Sequence, residues 1–173
     1  MGYQLIETIE VGSGGVDSIE FTGIASDLGQ DLKVVISARI NTSGGEAMSY
    51  EILINGDTGF NYNFTTLMGS GSVASSAKQL GYPHLESRTL NGDGTTALTF
   101  SSSELYISNY ASSTAKSMSM DGVTENNAAA AYQQLAAMSW SGTAAVTSIK
   151  FDKGGPNLFA EFTTASIYTI TAD

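Results

Sequence analysis

The stretch Asp31-Leu32-Lys33-Val34-Val35-Ile36-Ser37-Ala38-Arg39-Ile40-Asn41 decides the fold class. Leu32, Val34, Ile36, Ala38 and Ile40 recur at every second position, while Lys33, Ser37, Arg39 and Asn41 occupy the other phase and Val35 is the exception. Successive side chains of a β-strand point to opposite faces, so this period describes a strand with one buried face. The same period groups Met48, Tyr50, Ile52 and Ile54, and further on Met118 and Met120. Tyr3, Leu5, Ile9 and Val11 share a phase interrupted by Glu7.

Turn chemistry separates these runs. Gly12-Ser13-Gly14-Gly15, Ser43-Gly44-Gly45 and Lys153-Gly154-Gly155-Pro156 punctuate three boundaries. Asn55-Gly56-Asp57 and Asn91-Gly92-Asp93-Gly94 carry dipeptides that accept positive φ. Further strands are predicted at 16–24, 60–68, 85–90, 97–108, 115–124, 131–141, 145–152 and 158–170. About ten short strands with frequent turns predict an all-β chain, an antiparallel β-sandwich of jelly-roll or lectin-like type, forming a single domain over 1–173. The alanine-rich segment 127–138 has the composition of a short helix as its rival reading. Segment 69–81, with Gly69-Ser70-Gly71-Ser72 and Ser75-Ser76, is expected to be a long loop.

Composition excludes several classes of function. The chain has no cysteine, which removes disulfides, thiolate metal sites and cysteine nucleophiles together. Seven basic against 17 acidic residues give a net charge of −10, the wrong sign for neutralising phosphates, so no nucleic-acid partner is expected. Only 14% of residues are charged, well below the usual quarter or so, a profile that suits neutral contacts between subunits. The first residues carry no basic segment followed by an apolar run, so no secretory signal is expected and synthesis is placed in a cytoplasm. No stretch approaches the ~18 apolar residues of a membrane span.

The sequence presents no catalytic set. His84, the only histidine, stands beside Pro83 in a loop-like stretch, and no Gly-x-Ser-x-Gly elbow supplies it with an activated serine. The acids are spread along the chain, with Glu20, Glu51 and Glu161 placed on outward strand faces. The glycine-rich loops lack the Lys-Ser or Lys-Thr of a phosphate-binding loop. Asn55–Gly59 and Asn91–Gly94 offer oxygens suited to calcium, yet neither has the spacing of the twelve-residue calcium loop, and tight turns are the expectation for both. Tyr62, Tyr82, Tyr110 and Trp140 would mark a sugar-binding surface if exposed, and core or subunit contacts if buried. No catalytic, cofactor-binding or metal-ligating residue is assigned.

The chain resembles a family of small virion structural proteins of tailed phages of marine bacteria. The likeness runs through Gln4-Leu5-Ile6-Glu7-Thr8, Asp17-Ser18-Ile19-Glu20-Phe21-Thr22-Gly23-Ile24 and Ile54-Asn55-Gly56-Asp57-Thr58-Gly59 with Asn61-Tyr62. It continues in Tyr106-Ile107-Ser108-Asn109-Tyr110, Lys116-Ser117, Val123-Thr124-Glu125-Asn126-Asn127 with Ala131-Tyr132, Trp140 and Thr147-Ser148-Ile149. Tyr82-Pro83-His84-Leu85-Glu86-Ser87-Arg88 departs from the pattern. The resemblance implies a non-enzymatic sandwich displayed on the virion: a capsid decoration (cement) protein that binds the major capsid protein, with head-fibre or tail-fibre modules recognising host glycans as the alternative. Cement proteins of this kind commonly assemble as homotrimers. The resemblance carries no functional residues over to particular positions.

Overall fold

The computed structural model describes residues 2–127 and 130–171. Its elements are all strands: β1 (Gly2–Glu10), β2 (Ser18–Phe21), β3 (Asp31–Ala38), β4 (Met48–Ile54), β5 (Tyr62–Gly69), β6 (Ala74–Tyr82), β7 (Leu85–Leu90), β8 (Ser101–Ile107), β9 (Lys116–Val123), β10 (Gln133–Trp140), β11 (Ile149–Asp152) and β12 (Thr164–Thr171). They form an eight-stranded sheet in the order β1-β12-β3-β8-β9-β10-β5-β6 and a four-stranded sheet in the order β2-β11-β4-β7. Every strand pairing is antiparallel. No helix among the described residues is long and apolar enough to cross a membrane.

The topology is a jelly roll with two insertions. Take β1, β2, β3, β4, β7, β8, β11 and β12 as the first to eighth strands; the sheet orders then read 1-8-3-6 and 2-7-4-5. That is the double Greek key of an eight-stranded jelly roll. Hairpin β5–β6 is inserted between the fourth and fifth of these strands, and hairpin β9–β10 between the sixth and seventh. Both hairpins join the same sheet beyond β8, which widens it from four strands to eight.

Alternation builds the core as the sequence predicts. Leu32, Val34, Ile36, Ala38 and Ile40 are buried, and Val35 faces outward. Tyr50, Ile52 and Ile54 meet them from the smaller sheet, with Tyr50 6.1 Å from Phe151 and 6.3 Å from Phe159, ring centre to ring centre. Tilted and edge-on packing of this kind suits aromatic quadrupoles. Met118, Met120, Ala136, Met138 and Trp140 continue the same cluster beneath the inserted hairpins.

Four expectations need correction, and one rival reading is excluded. Segment 69–81 is not a long loop: Ala74–Tyr82 forms β6, paired along β5. Backbone hydrogen bonding makes this strand without any buried side chain, so no hydrophobic period announces it. Segment 133–140 is the strand predicted over 131–141 and not the rival helix, because its alternate residues Gln134, Ala136, Met138 and Trp140 are buried between the layers; Ala128 and Ala129 of the helix reading lie outside the described residues. The N-terminal phase is broken by a bulge between Leu5 and Glu7, so Tyr3 and Leu5 point outward while Val11 is buried. Arg39 does not face solvent: it is 7% exposed under the 92–99 loop, where Nη1 donates to Thr95 Oγ1 (2.9 Å), Thr96 O (3.1 Å) and Thr99 O (3.1 Å). Glu161 lies in a turn before β12 rather than on a strand, though it does face outward.

Between the layers lies a small polar seam. Thr89 Oγ1 is 2.8 Å from both Ser87 Oγ and Ser103 Oγ, and all three side chains are buried. Gly122 of β9 covers them so closely that a Cβ there would stand 2.6 Å from Ser103 Oγ and 2.7 Å from Thr89 Oγ1. Gly122→Ala is therefore expected to lower unfolding stability by about 1–3 kcal/mol through overpacking, measured by urea denaturation. An unchanged midpoint would show that the seam yields freely.

Candidate functional site

The four-stranded sheet covers one face of the eight-stranded sheet, and the other face carries the features that ask for a partner. Strand register defines that outer face. One row runs Leu5, Tyr168, Lys33, Tyr106, Ser119, Ala137, Thr65, Lys78 across all eight strands. The neighbouring row runs Ser166, Val35, Glu104, Asp121, Leu135, Leu67, Ser76. Solvent-facing rows of a sheet are ordinarily polar. Here Tyr3, Leu5, Val35, Leu67, Val123 and Leu135 are between 37% and 61% exposed.

A groove of about 630 Å³ crosses this face from β8 to β6. Small residues make its floor: Ser119, Ala137 and Thr65, with Leu67 and Leu135 on one side and Glu104, Tyr106 and Asp121 on the other. Glu104 and Asp121 are direct cross-strand partners. Like charges in that relation repel, and Lys33 Nζ, 2.7 Å from Glu104 Oε2, offsets one of them. The hydrogen bond to Glu104 raises the Lys33 pKa above its ordinary value. Tyr106 donates its hydroxyl hydrogen to Asp31, and that bond holds its pKa up at about 12. Asp31 also accepts the Asn109 amide at 2.7 Å, so the Tyr106 ring is fixed at the groove's rim. The alternation in 101–107 and 133–140 points to which residues face outward. It does not tell that β8, β9, β10 and β5 stand side by side.

The residues singled out in the sequence lie elsewhere. Tyr62, Tyr110 and Trp140 are core residues, and Tyr82 is half-buried against Phe64 and His84. His84 Nδ1 lies 3.4 Å from Glu51 Oε2 on the smaller sheet; no serine hydroxyl bonds to it among the described residues.

The Asn55–Gly59 loop spends its oxygens on the protein itself. Asn55 and Gly56 both have positive φ, 54° and 65°, and the Asp57 amide donates to Ile54 O at 3.0 Å, a type I′ turn. Asn55 Oδ1 accepts from the Thr147 and Ser148 amides at 2.8 and 3.1 Å. Asp57 Oδ1 accepts from the Gly59 amide, and Oδ2 accepts from Asn61 Nδ2 (2.9 Å) and from Trp140 Nε1 (2.7 Å). These bonds, the one from Trp140 foremost, hold the Asp57 pKa below its ordinary 3.8. The Asn91–Gly94 loop is not a positive-φ turn at all. Its glycines are required by close approach: a Cβ on Gly92 would stand 2.4 Å from the Gly44 carbonyl oxygen. Among the described residues no three His, Cys, Asp or Glu side chains gather as a metal site.

Compared with known proteins, the chain matches no protein-family model, no curated protein and no solved structure.

Asp57 anchors a turn to the indole of β10, and its effect follows the sign of its pKa. A carboxylate stabilised in the folded state contributes fully above its unfolded pKa and loses that contribution as pH falls through the folded value. Asp57→Asn is expected to cost about 1–2 kcal/mol at pH 7, with the gap from wild type closing as the pH drops below 3.8; urea titrations at a series of pH values measure it. Because those oxygens are already engaged, the thermal midpoint is expected to be the same in calcium and in chelator. A rise in calcium of several degrees would place a cation in one of the two loops.

Proposed function

We propose that this protein is a non-enzymatic structural subunit of a bacteriophage virion, a decoration or cement protein that binds the major capsid protein on the exterior of the head and stabilises it. The observation that carries this reading is the apolar outer face of the eight-stranded sheet, built from Leu5, Val35, Leu67 and Leu135 on a chain with few charges. Exposed apolar side chains on a sheet face mark a place of association, and here they form two groups, Leu5 and Val35 on one side of Glu104 and Asp121, Leu135 and Leu67 on the other. A subunit that binds only the assembled shell stabilises it by mass action, with no need for chemistry. The likeness to small virion proteins supports the same reading, and self-association as a homotrimer accompanies it.

The groove favours a second reading, a receptor-binding module for host surface glycans. Its carboxylates and the fixed Tyr106 ring suit a sugar's hydroxyls and apolar face. Fold alone does not choose between the two.

Labelled antibody against the protein is expected to decorate the heads of purified particles; label confined to tail tips would replace the cement reading with the glycan one. Leu67→Thr with Leu135→Thr, both at exposed positions, keeps strand-forming side chains without adding charge beside Asp121, and is expected to leave the fold intact and to weaken rebinding to stripped particles at least tenfold, measured by co-sedimentation. Unchanged rebinding would remove the outer face from the contact.

A further inference from the structure

The eight-stranded sheet ends in two open edges, β1 and β6, each nine residues long. No described backbone group outside the sheet pairs with the outer edge of Ala74–Leu80. Unpaired edges of this length invite another strand, and proteins usually blunt them with charge, proline or a bulge. Here the protection is thin. β6 has one charged residue, Lys78, and a register shift near its end; β1 has Glu7, Glu10 and a bulge between Leu5 and Glu7, and neither strand contains proline.

We propose that β6 of one copy pairs with β1 of the next, so that the eight-stranded sheet runs on from subunit to subunit. Three observations select this occupant. The first is direction. Seven successive antiparallel pairings separate β1 from β6, so the two edges run oppositely. Copies set side by side in one orientation therefore meet in antiparallel register, with their outer faces on the same side. The second is charge: β6 carries Lys78 and no acid, while β1 carries Glu7 and Glu10 and no base. Pairing β6 with a second β6 in full overlap would set Lys78 against its own copy, a like-charge pair that opposes the two-fold arrangement. The third is apolar exposure. In full overlap Ala74 falls opposite Glu10, Ser76 opposite Thr8 and Leu80 beside Tyr3 and Leu5. Leu80, Tyr3 and Leu5 are 65%, 61% and 53% exposed in the single chain, and the pairing covers them together.

A head-to-tail contact of this kind closes into a ring if its rotation permits and otherwise runs as a filament. The inference deepens the self-association in the proposed function. It is tested on the purified protein alone, so its failure leaves the capsid reading standing. Particle labelling, in turn, can fail while the edges still pair.

The absence of cysteine makes the test clean. Ser76→Cys and Thr8→Cys, made in separate copies, mixed and oxidised, are expected to yield a 76-to-8 disulfide dimer several-fold above a control mixing Thr8→Cys with exposed Ser113→Cys. In sedimentation velocity the wild type is expected to self-associate, Lys78→Glu to weaken association at least tenfold, and Glu7→Lys with Glu10→Lys to restore it in the Lys78→Glu background. Three results would each overturn the proposal: a wild type monomeric throughout the concentration series, a 76-to-8 yield at the control level, or a main dimer from Ser76→Cys alone.

Discussion

A layer of four strands lies against a layer of eight, and the mismatch in width governs the rest of the molecule. Where the layers overlap, both contribute alternating apolar residues, and aromatic rings pack together around Tyr50, Phe151 and Phe159. Beyond β7 the smaller sheet ends, and the wide sheet has nothing to lie on. The first side chains of β6 are accordingly small, Ala74, Ser75, Ser76 and Ala77, and almost the whole strand is exposed. Hydrogen bonding to β5 holds it there.

The inserted hairpins are therefore attached by a few local devices rather than by a second layer. Tyr62 accepts the Ile54 amide at 3.0 Å and donates to the Asp57 carbonyl at 2.9 Å, which ties the start of β5 to the turn behind it. Asp57 then reaches the Trp140 indole on β10. Gly142 permits that indole to lie flat under the chain, since a Cβ there would stand 2.1 Å from its ring. At the start of β9, Lys116 is buried with its ammonium donating to the carbonyls of Ser112 and Thr114 at 2.8 and 2.5 Å, and desolvation lowers its pKa. No carboxylate balances it among the described bonds. Backbone carbonyls take the place of a counter-ion there, whereas Arg39 at the opposite end of the sandwich has both carbonyl acceptors and the Asp93 carboxylate at 3.6 Å.

Function is read here from what the fold leaves uncovered. Among the described residues no metal cluster gathers, and His84 is paired with Glu51. What remains is surface: an apolar outer face, two long edges, and turns whose polar groups are spent internally. These features underlie both the proposed capsid role and the proposed edge-to-edge contact between copies.

Alternation alone determined the strands that have a buried face. Leu32 to Ile40 and Met48 to Ile54 declare themselves because burial on one side writes a period of two into the chain, and the Asn55-Gly56 turn declares itself because positive φ restricts which residues fit. β6 stayed hidden because a strand exposed on both sides needs no pattern. Arg39 was misplaced because a loop more than 50 residues later in the chain folds over it. Tyr3 and Leu5 were misplaced because one bulge inverts the faces on either side of it. The outer face and its groove were beyond sequence reach for the same reason. Glu104, Asp121, Leu135 and Leu67 become neighbours only through sheet order, and hydrogen bonds between distant strands decide that order.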